Sequence, residues 1–204
     1  RRKNIDIFNI CLMIILSMLF IYPFWHQICV SLSDPNVVAR GGLFLTIKGF
    51  NFSAYELVLS SEEIRQGYMN TIFVTVVGTA LNVFFTAIMA YPLSKKTLPG
   101  RSIITFFVVF TMFFSGGMIP TYLVVRATGL LNSLWACIIP GLIGAYHVVI
   151  TRNFFSSIPD ELEEAAKIDG ASDFYIFARI IVPLSMPVIA TVALWNAVGH
   201  WNDY

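Results

Sequence analysis

Polar side chains capable of chemistry are scarce in this chain, and the densest group of them is the stretch ELEEAAKIDGASDFYIF at 161–177. Between Arg152 and Arg179 lie Asp160, Glu161, Glu163, Glu164, Asp169 and Asp173, half of the twelve acids in the sequence, against three bases, Arg152, Lys167 and Arg179. Elsewhere the reactive types are scattered. Cys11, Cys29 and Cys137 have no CxxC spacing for a metal or a redox pair and read as small buried hydrophobes. His26, His147 and His200 have no HExxH spacing and read as packed, hydrogen-bonded histidines. A GxxxxGK[ST] phosphate loop and a GxSxG elbow are both missing from the sequence. The chain therefore reads as no enzyme, with no cofactor and no metal, and any ATP-derived energy must come from a partner.

The acidic stretch has the grammar of helix, turn and helix. Ser157 and Pro159 before Asp160 form a helix-start signature. Leu162, Ala165, Ala166 and Asp169 follow at i, i+3, i+4 and i+7, so the two alanines are expected to form a smooth patch on one side of a short helix. Gly170 falls where a left-handed C-terminal residue is wanted. Ser172 with Asp173 can start a second helix, with Phe174, Phe177, Ile180 and Ile181 as its apolar face and an end near Pro183. Such a loop is either a knob for another protein's groove or a solvated connector.

The elements that hold this loop are read from composition. A chain that is 57% hydrophobic and 12% charged, with a mean hydropathy of +0.74, differs from a soluble domain, which carries about 25% charge. It reads as an integral membrane protein. The net charge of +1, with no basic run interleaved with aromatics, excludes a nucleic-acid partner. A hydrocarbon core of about 30 Å takes about 20 apolar residues per helix. Five runs approach that length: 7–32, 68–93, 103–125, 134–151 and 183 to the end. The first is too long for a cleaved signal peptide and has no A-x-A site, so it is expected to be a retained span.

Placing the N-terminus in the cytoplasm puts Arg1, Arg2, Lys3, Lys95, Lys96, Arg101, Arg152, Lys167 and Arg179 inside and leaves Arg40, Lys48, Arg65 and Arg126 outside. That bias predicts an inside N-terminus and a long outer loop at 33–67, with turns at SDPN (33–36) and Gly41-Gly42. The acidic loop is then cytoplasmic. There anionic headgroups would repel it, so it stands off the membrane towards protein or water.

Within the second run Thr71, Thr75, Gly78, Thr79, Asn82, Thr86 and Ala90 form one stripe, a helix-packing face or the lining of a path. Ser115-Gly116-Gly117 with Pro120 is either a bend beside a translocation path or an ordinary helix end. At the end of the fifth run Trp195, Asn196, His200, Trp201, Asn202, Asp203 and Tyr204 suit a sugar ring, and equally an interfacial aromatic belt. Asn196, His200, Trp201 and Asn202 are the candidate substrate-path residues.

The residues Glu164-Ala165-Ala166, Asp169-Gly170-Ala171, Ile180 and Pro183 resemble the EAA loop of the membrane subunits of binding-protein-dependent ATP-binding-cassette importers. Val182 stands where that pattern usually has leucine. The longer pattern EAAxxDGA is most similar to the carbohydrate-uptake branch. The stretches at 68–72, 90–94, 113–120 and 129–133 resemble a subgroup importing oligosaccharides or polysaccharide fragments.

The resemblance implies an all-α, polytopic helical bundle of the type I importer permease kind. It would be a single transmembrane permease domain over 1–204, incomplete at both ends, with about five spans present and a sixth beyond Tyr204. It implies a multi-pass subunit of the cell membrane that forms the path for a sugar or oligosaccharide. Its loop at about 152–180 would dock on a cytoplasmic ATP-binding subunit through Glu164, Ala165, Ala166, Asp169, Gly170 and Ala171. A second permease subunit in a heterodimer and an extracytoplasmic solute-binding protein would complete the assembly. A permease for a non-sugar solute, a membrane channel and a scaffold subunit are the alternatives.

Overall fold

The computed structural model describes residues 2–203, with side chains from residue 5 onward. Arg1, Tyr204 and the side chains of Arg2 and Lys3, which entered the charge and aromatic readings above, lie outside the described residues. Among the described residues the fold is all-helical, with no strand. The chain forms two compact units, one up to Gly67 and one from Tyr68 onward.

The first unit contains α1 (Arg2–Ser31), α2 (Pro35–Val38) and α3 (Ser53–Ser60). The apolar stretch Ile5–Ser31 of α1 is 27 residues long, about 40 Å at 1.5 Å per residue, enough to cross a hydrocarbon core. Most of its apolar side chains are exposed, including Phe8, Ile15, Phe20 and Phe24, with Cys29 buried near its end, as expected of a helix whose solvent is lipid. The segment after it is tied back to its end. Trp25 Nε1 donates to the Leu45 carbonyl at 2.9 Å, and Ser33 Oγ accepts from the Lys48 amide at 3.0 Å. SDPN forms a cap rather than a free turn: Asp34 accepts from the Asn36 amide at 2.7 Å and Pro35 opens α2.

α4 (Glu62–Ser94) begins within what the sequence suggested was loop, so the outer segment is shorter than 33–67. Glu62 and Glu63 in the first turn favour an earlier helix start through the macrodipole. With 33 residues it is the second helix of span length.

The remaining runs are not simple rods. The third is α5 (Arg101–Phe113) and α6 (Met118–Ala127), bent by 118° across 114–117, where Gly117 takes a φ of +82° that L-residues avoid. The fourth, expected as one span, divides into α7 (Trp135–Ile138) and α8 (Ala145–Phe155). Pro140 supplies no amide donor, and Gly144 is extended, so the helical ladder stops between them. The fifth starts in the loop as α10 (Asp173–Ile176), passes through a π turn at Phe177–Ile181 into α11 (Val182–Leu184), and bends by 79° at Ser185 before α12 (Met186–Trp201). The helix that starts in the loop thus ends at Leu184, next to Pro183, as the sequence suggests. Its fifth-residue hydrogen-bonding over the π turn precedes the proline, whose nitrogen cannot donate. The short helix α9 (Asp160–Ile168) precedes α10.

Candidate functional site

Two groups of side chains in the second unit bear on function: the loop carrying α9, and a polar seam where α4, α8 and α12 meet.

The loop is built on a core of Ala87, Ala90, Phe155, Ile176 and Ile181, with Tyr91, Ile158, Ala166, Ala171, Phe177 and Ile180 packed against it. Ser157 does not cap α9, because its hydroxyl donates to the Phe154 carbonyl at 2.7 Å. Pro159 occupies the cap position without a side-chain bond, and Asp160, Glu161 and Glu163 in the first turn complement the helix dipole instead.

At the other end Gly170 has a φ of +81°. The Ala171 amide donates to the Ala166 carbonyl at 2.9 Å, and the Gly170 amide to the Lys167 carbonyl at 3.0 Å. This is the paired bonding of a Schellman motif, and Ala166 and Ala171 both pack against the core. Ser172 caps α10 by accepting from the Tyr175 amide at 3.3 Å. Lys167 and Asp173 pair across the turn at 3.2 Å.

The two faces of α9 therefore differ from the expected alanine patch. Ala166 turns inward and Ala165 outward, since adjacent helical residues lie about 100° apart. Glu164, Ala165, Asp169 and Gly170 are exposed together with Leu162 and Ile168, the latter 87% exposed. Phe174 is also outside, at 75%, and Ile176 takes the buried place that periodicity assigned to it.

Glu163, not singled out in the sequence, is the buried acid. It pairs with Lys95 just after α4, and the Lys95 ammonium lies 4.8 Å from the centre of the Tyr91 ring. The only local signal for Glu163 was its spacing of three from Ala166. Its partner is 68 residues away.

This partly buried pair should stabilise the loop by an amount between the ~1 kcal/mol of surface pairs and the 3–5 kcal/mol lost when one partner of a buried pair is removed. Lys95→Met and Glu163→Gln are each expected to loosen the loop, and the double variant to recover part of the loss. Hydrogen exchange of the 160–172 amides in the four-protein cycle measures that coupling.

In the seam, the α4 stripe is a packing face: Gly78, Asn82, Thr86 and Ala90 are buried. Asn82 Nδ2 donates to the carbonyls of Gly141 at 2.8 Å and Leu142 at 3.0 Å, and Asn82 Oδ1 lies 2.9 Å from His200 Nε2. With both amide hydrogens directed at carbonyls, Oδ1 must accept, which fixes the His200 proton on Nε2. Gly78 makes room for the ring, for a β-carbon there would sit 2.7 Å from His200 Nε2. One turn back on α12, Asn196 Nδ2 donates to the Val192 carbonyl at 2.8 Å and lies 3.3 Å from His147 Nδ1. The His147 ring stacks on Trp195 at 5.9 Å, and Tyr146 leans on the same indole at 5.8 Å. Asn196 and His200 thus share the seam, whereas Trp201 and Asn202 are exposed at the end of α12.

Similarity to known proteins fits this architecture. The chain is 45% identical over 192 residues to the polygalacturonan/rhamnogalacturonan transport system permease protein YtcP of Bacillus subtilis (strain 168), an overlap of 94% of this chain and 67% of that protein. It is 46% identical over 201 residues to protein LplC of the same organism, covering 97% and 68%. A solved bacterial ABC transporter involved in the import of the acidic polysaccharide alginate contains a chain with a TM-score of 0.95 and 37% identity, matching 99% of this chain and 72% of that one. Residues 68–204, which include α5 to α12, the loop and the seam, match the family described as binding-protein-dependent transport system inner membrane component. The chain is a membrane permease that belongs to this family.

Proposed function

We propose that this chain is the permease subunit of an ATP-driven importer for an oligosaccharide, with fragments of acidic polysaccharides as the first class to test. The observation that carries the reading is the construction of the loop. α9 is fastened to α4 by the Lys95–Glu163 pair and to the membrane helices by the Ala87–Phe155–Ile176–Ile181 core. It meanwhile presents Leu162, Glu164, Ala165 and Ile168 outward, and α10 adds Phe174. A rigid base with an exposed apolar and acidic tip can pass a push from a cytoplasmic ATP-binding subunit to the helices. Glu164 can accept from an arginine or backbone amide of that partner, while Asp169 and Gly170 shape the tip.

In this reading both units form one transmembrane permease domain with a cytoplasmic N-terminus. It pairs with a second, different permease subunit and receives sugar from an extracytoplasmic binding protein. The seam residues Asn196 and His200 and the exposed Trp201 and Asn202 border the path. Support for a sugar substrate comes from the polysaccharides named for the relatives, and from aromatic faces beside amide and imidazole groups, which suit a sugar ring.

The test is ATP-dependent accumulation of labelled oligogalacturonates, alginate oligomers, neutral oligosaccharides and non-sugar solutes in vesicles carrying the complex purified with this chain. Uptake of an oligosaccharide, with an ATP-binding subunit co-purifying, is expected. A stable homo-oligomer that conducts ions and carries no ATPase would overturn the reading.

A further inference from the structure

At the loop end of the bundle, two arginines converge on one backbone oxygen. Leu93 lies in the last turn of α4, where carbonyls have no partner within the helix. Its oxygen accepts from Arg101 Nε at 2.9 Å and from Arg152 Nε at 3.1 Å. Both guanidinium groups are thereby anchored side by side with their terminal nitrogens still available as donors. Among the described residues no Asp or Glu forms an ion pair with either. Burial, and then the like charge of Arg101, hold the Arg152 pKa below its ordinary value.

The arginines border a cleft of about 380 Å³, lined also by Ser102, Thr105, Phe106 and Val109 of α5. The Thr105 hydroxyl is buried there with no hydrogen-bond partner among the described residues. The cleft is graded along α5. Arg101 and Ser102 supply donors at one end, and Phe106 and Val109 lie about 7–12 Å further along the helix axis from Arg101. A cationic, hydroxyl-bearing end followed by an apolar wall at the edge of a membrane span follows the order of a phospholipid, headgroup first and acyl chain after.

We propose that this cleft binds the phosphodiester headgroup of an anionic phospholipid between Arg101 and Arg152, with an acyl chain along Phe106 and Val109. Basic pockets between membrane helices are suited to such headgroups, and guanidinium forks match phosphate oxygens geometrically. A free phosphate would use the polar end alone, which leaves the apolar wall without a role. The bound lipid neutralises the paired guanidinium charge and ties the end of α4 to α5 and α8, one residue from Ser94, whose carbonyl accepts from Ser156 Oγ at 3.3 Å.

The test is lipid retention by the complex containing this chain, extracted in mild detergent and offered phosphatidylglycerol, phosphatidylcholine or inorganic phosphate, then read by native mass spectrometry. Phosphatidylglycerol should be retained over phosphatidylcholine. Arg101→Gln/Arg152→Gln should lower retention by about fivefold for each arginine. Because that variant also loses the bonds to Leu93, Ser102→Asp serves as a second one. It puts a negative charge in the cleft, suits the first turn of α5 and should lower retention by a similar factor. Phe106→Asn should weaken lipid but not phosphate binding. The proposal is overturned by equal retention of the two lipids, by unchanged retention in both charge variants, or by displacement of the lipid with millimolar phosphate. A photo-crosslinker at position 102 that captures a protein subunit in place of lipid overturns it equally.

Discussion

Gly170→Trp is expected to abolish ATP-driven uptake while membrane insertion and thermal stability remain close to wild type. Any L-residue at a φ of +81° strains the backbone, at a cost of about 1 kcal/mol. A β-carbon at this position meets no atom within 4 Å, so the indole extends into open space beside the exposed Asp169 and Ile168 without disturbing the core beneath. If that space belongs to a cleft on an ATP-binding subunit, the indole blocks docking. Gly170→Ala carries the same backbone strain without the bulk, and should keep most of the uptake. Insertion is followed by detergent extraction and a melting curve, docking by co-purification of the ATPase, and coupling by uptake in vesicles. Wild-type uptake by the tryptophan variant would sink the docking role of the loop.

Gly78→Leu should have the largest effect on the permease itself. The new β-carbon would lie 2.7 Å from His200 Nε2, 3.0 Å from Cδ2 and 3.1 Å from Cε1. The ring cannot retreat and also keep its bond to Asn82 Oδ1 at 2.9 Å. Overpacking costs about 1–3 kcal/mol, and interhelical hydrogen bonds in membranes contribute about 0.6 kcal/mol on average, so a total loss of roughly 2–4 kcal/mol is expected. Gly141→Ala is the matched control, because a β-carbon there meets nothing within 4 Å. A fall in the melting temperature of the detergent-solubilised complex, large for Gly78→Leu and small for Gly141→Ala, checks the prediction. Equal melting temperatures would mean that the seam can rearrange around position 78.

Legibility from sequence followed the range of the interaction. Gly170 as the C-terminal stop of α9, Ser172 as the cap of α10 and the break at Ser115–Gly117 depend on a few neighbouring residues, and each is found in the structure. The start of α9 at Asp160, after Ser157 and Pro159, is local too, although the Ser157 hydroxyl bonds the Phe154 carbonyl and not an amide of the first turn. The fourth run failed as a single helix because length and hydropathy do not register the combined effect of Pro140 and Gly144. Orientation within the bundle was harder. Lipid and protein interior are equally apolar, so the side chains of α1 carry no mark of direction, whereas the small and polar stripe of α4 does.

The sequence by itself determined that the chain is helical and lives in a membrane, where the loop between α8 and α12 stops and turns, and that its signature residues resemble those of importer permeases. Those properties come from composition, apolar run length and turn chemistry, which act over fewer than about thirty residues. Only the tertiary structure decided that Glu163 and not Glu164 anchors the loop, that Ala166 packs inward while Ala165 is exposed, and that Asn82 reaches His200 across 118 residues. It also brought Arg101 and Arg152 to one carbonyl. Each of these depends on which helix packs against which, and an ion pair or shared acceptor between distant residues leaves no periodic trace in the chain.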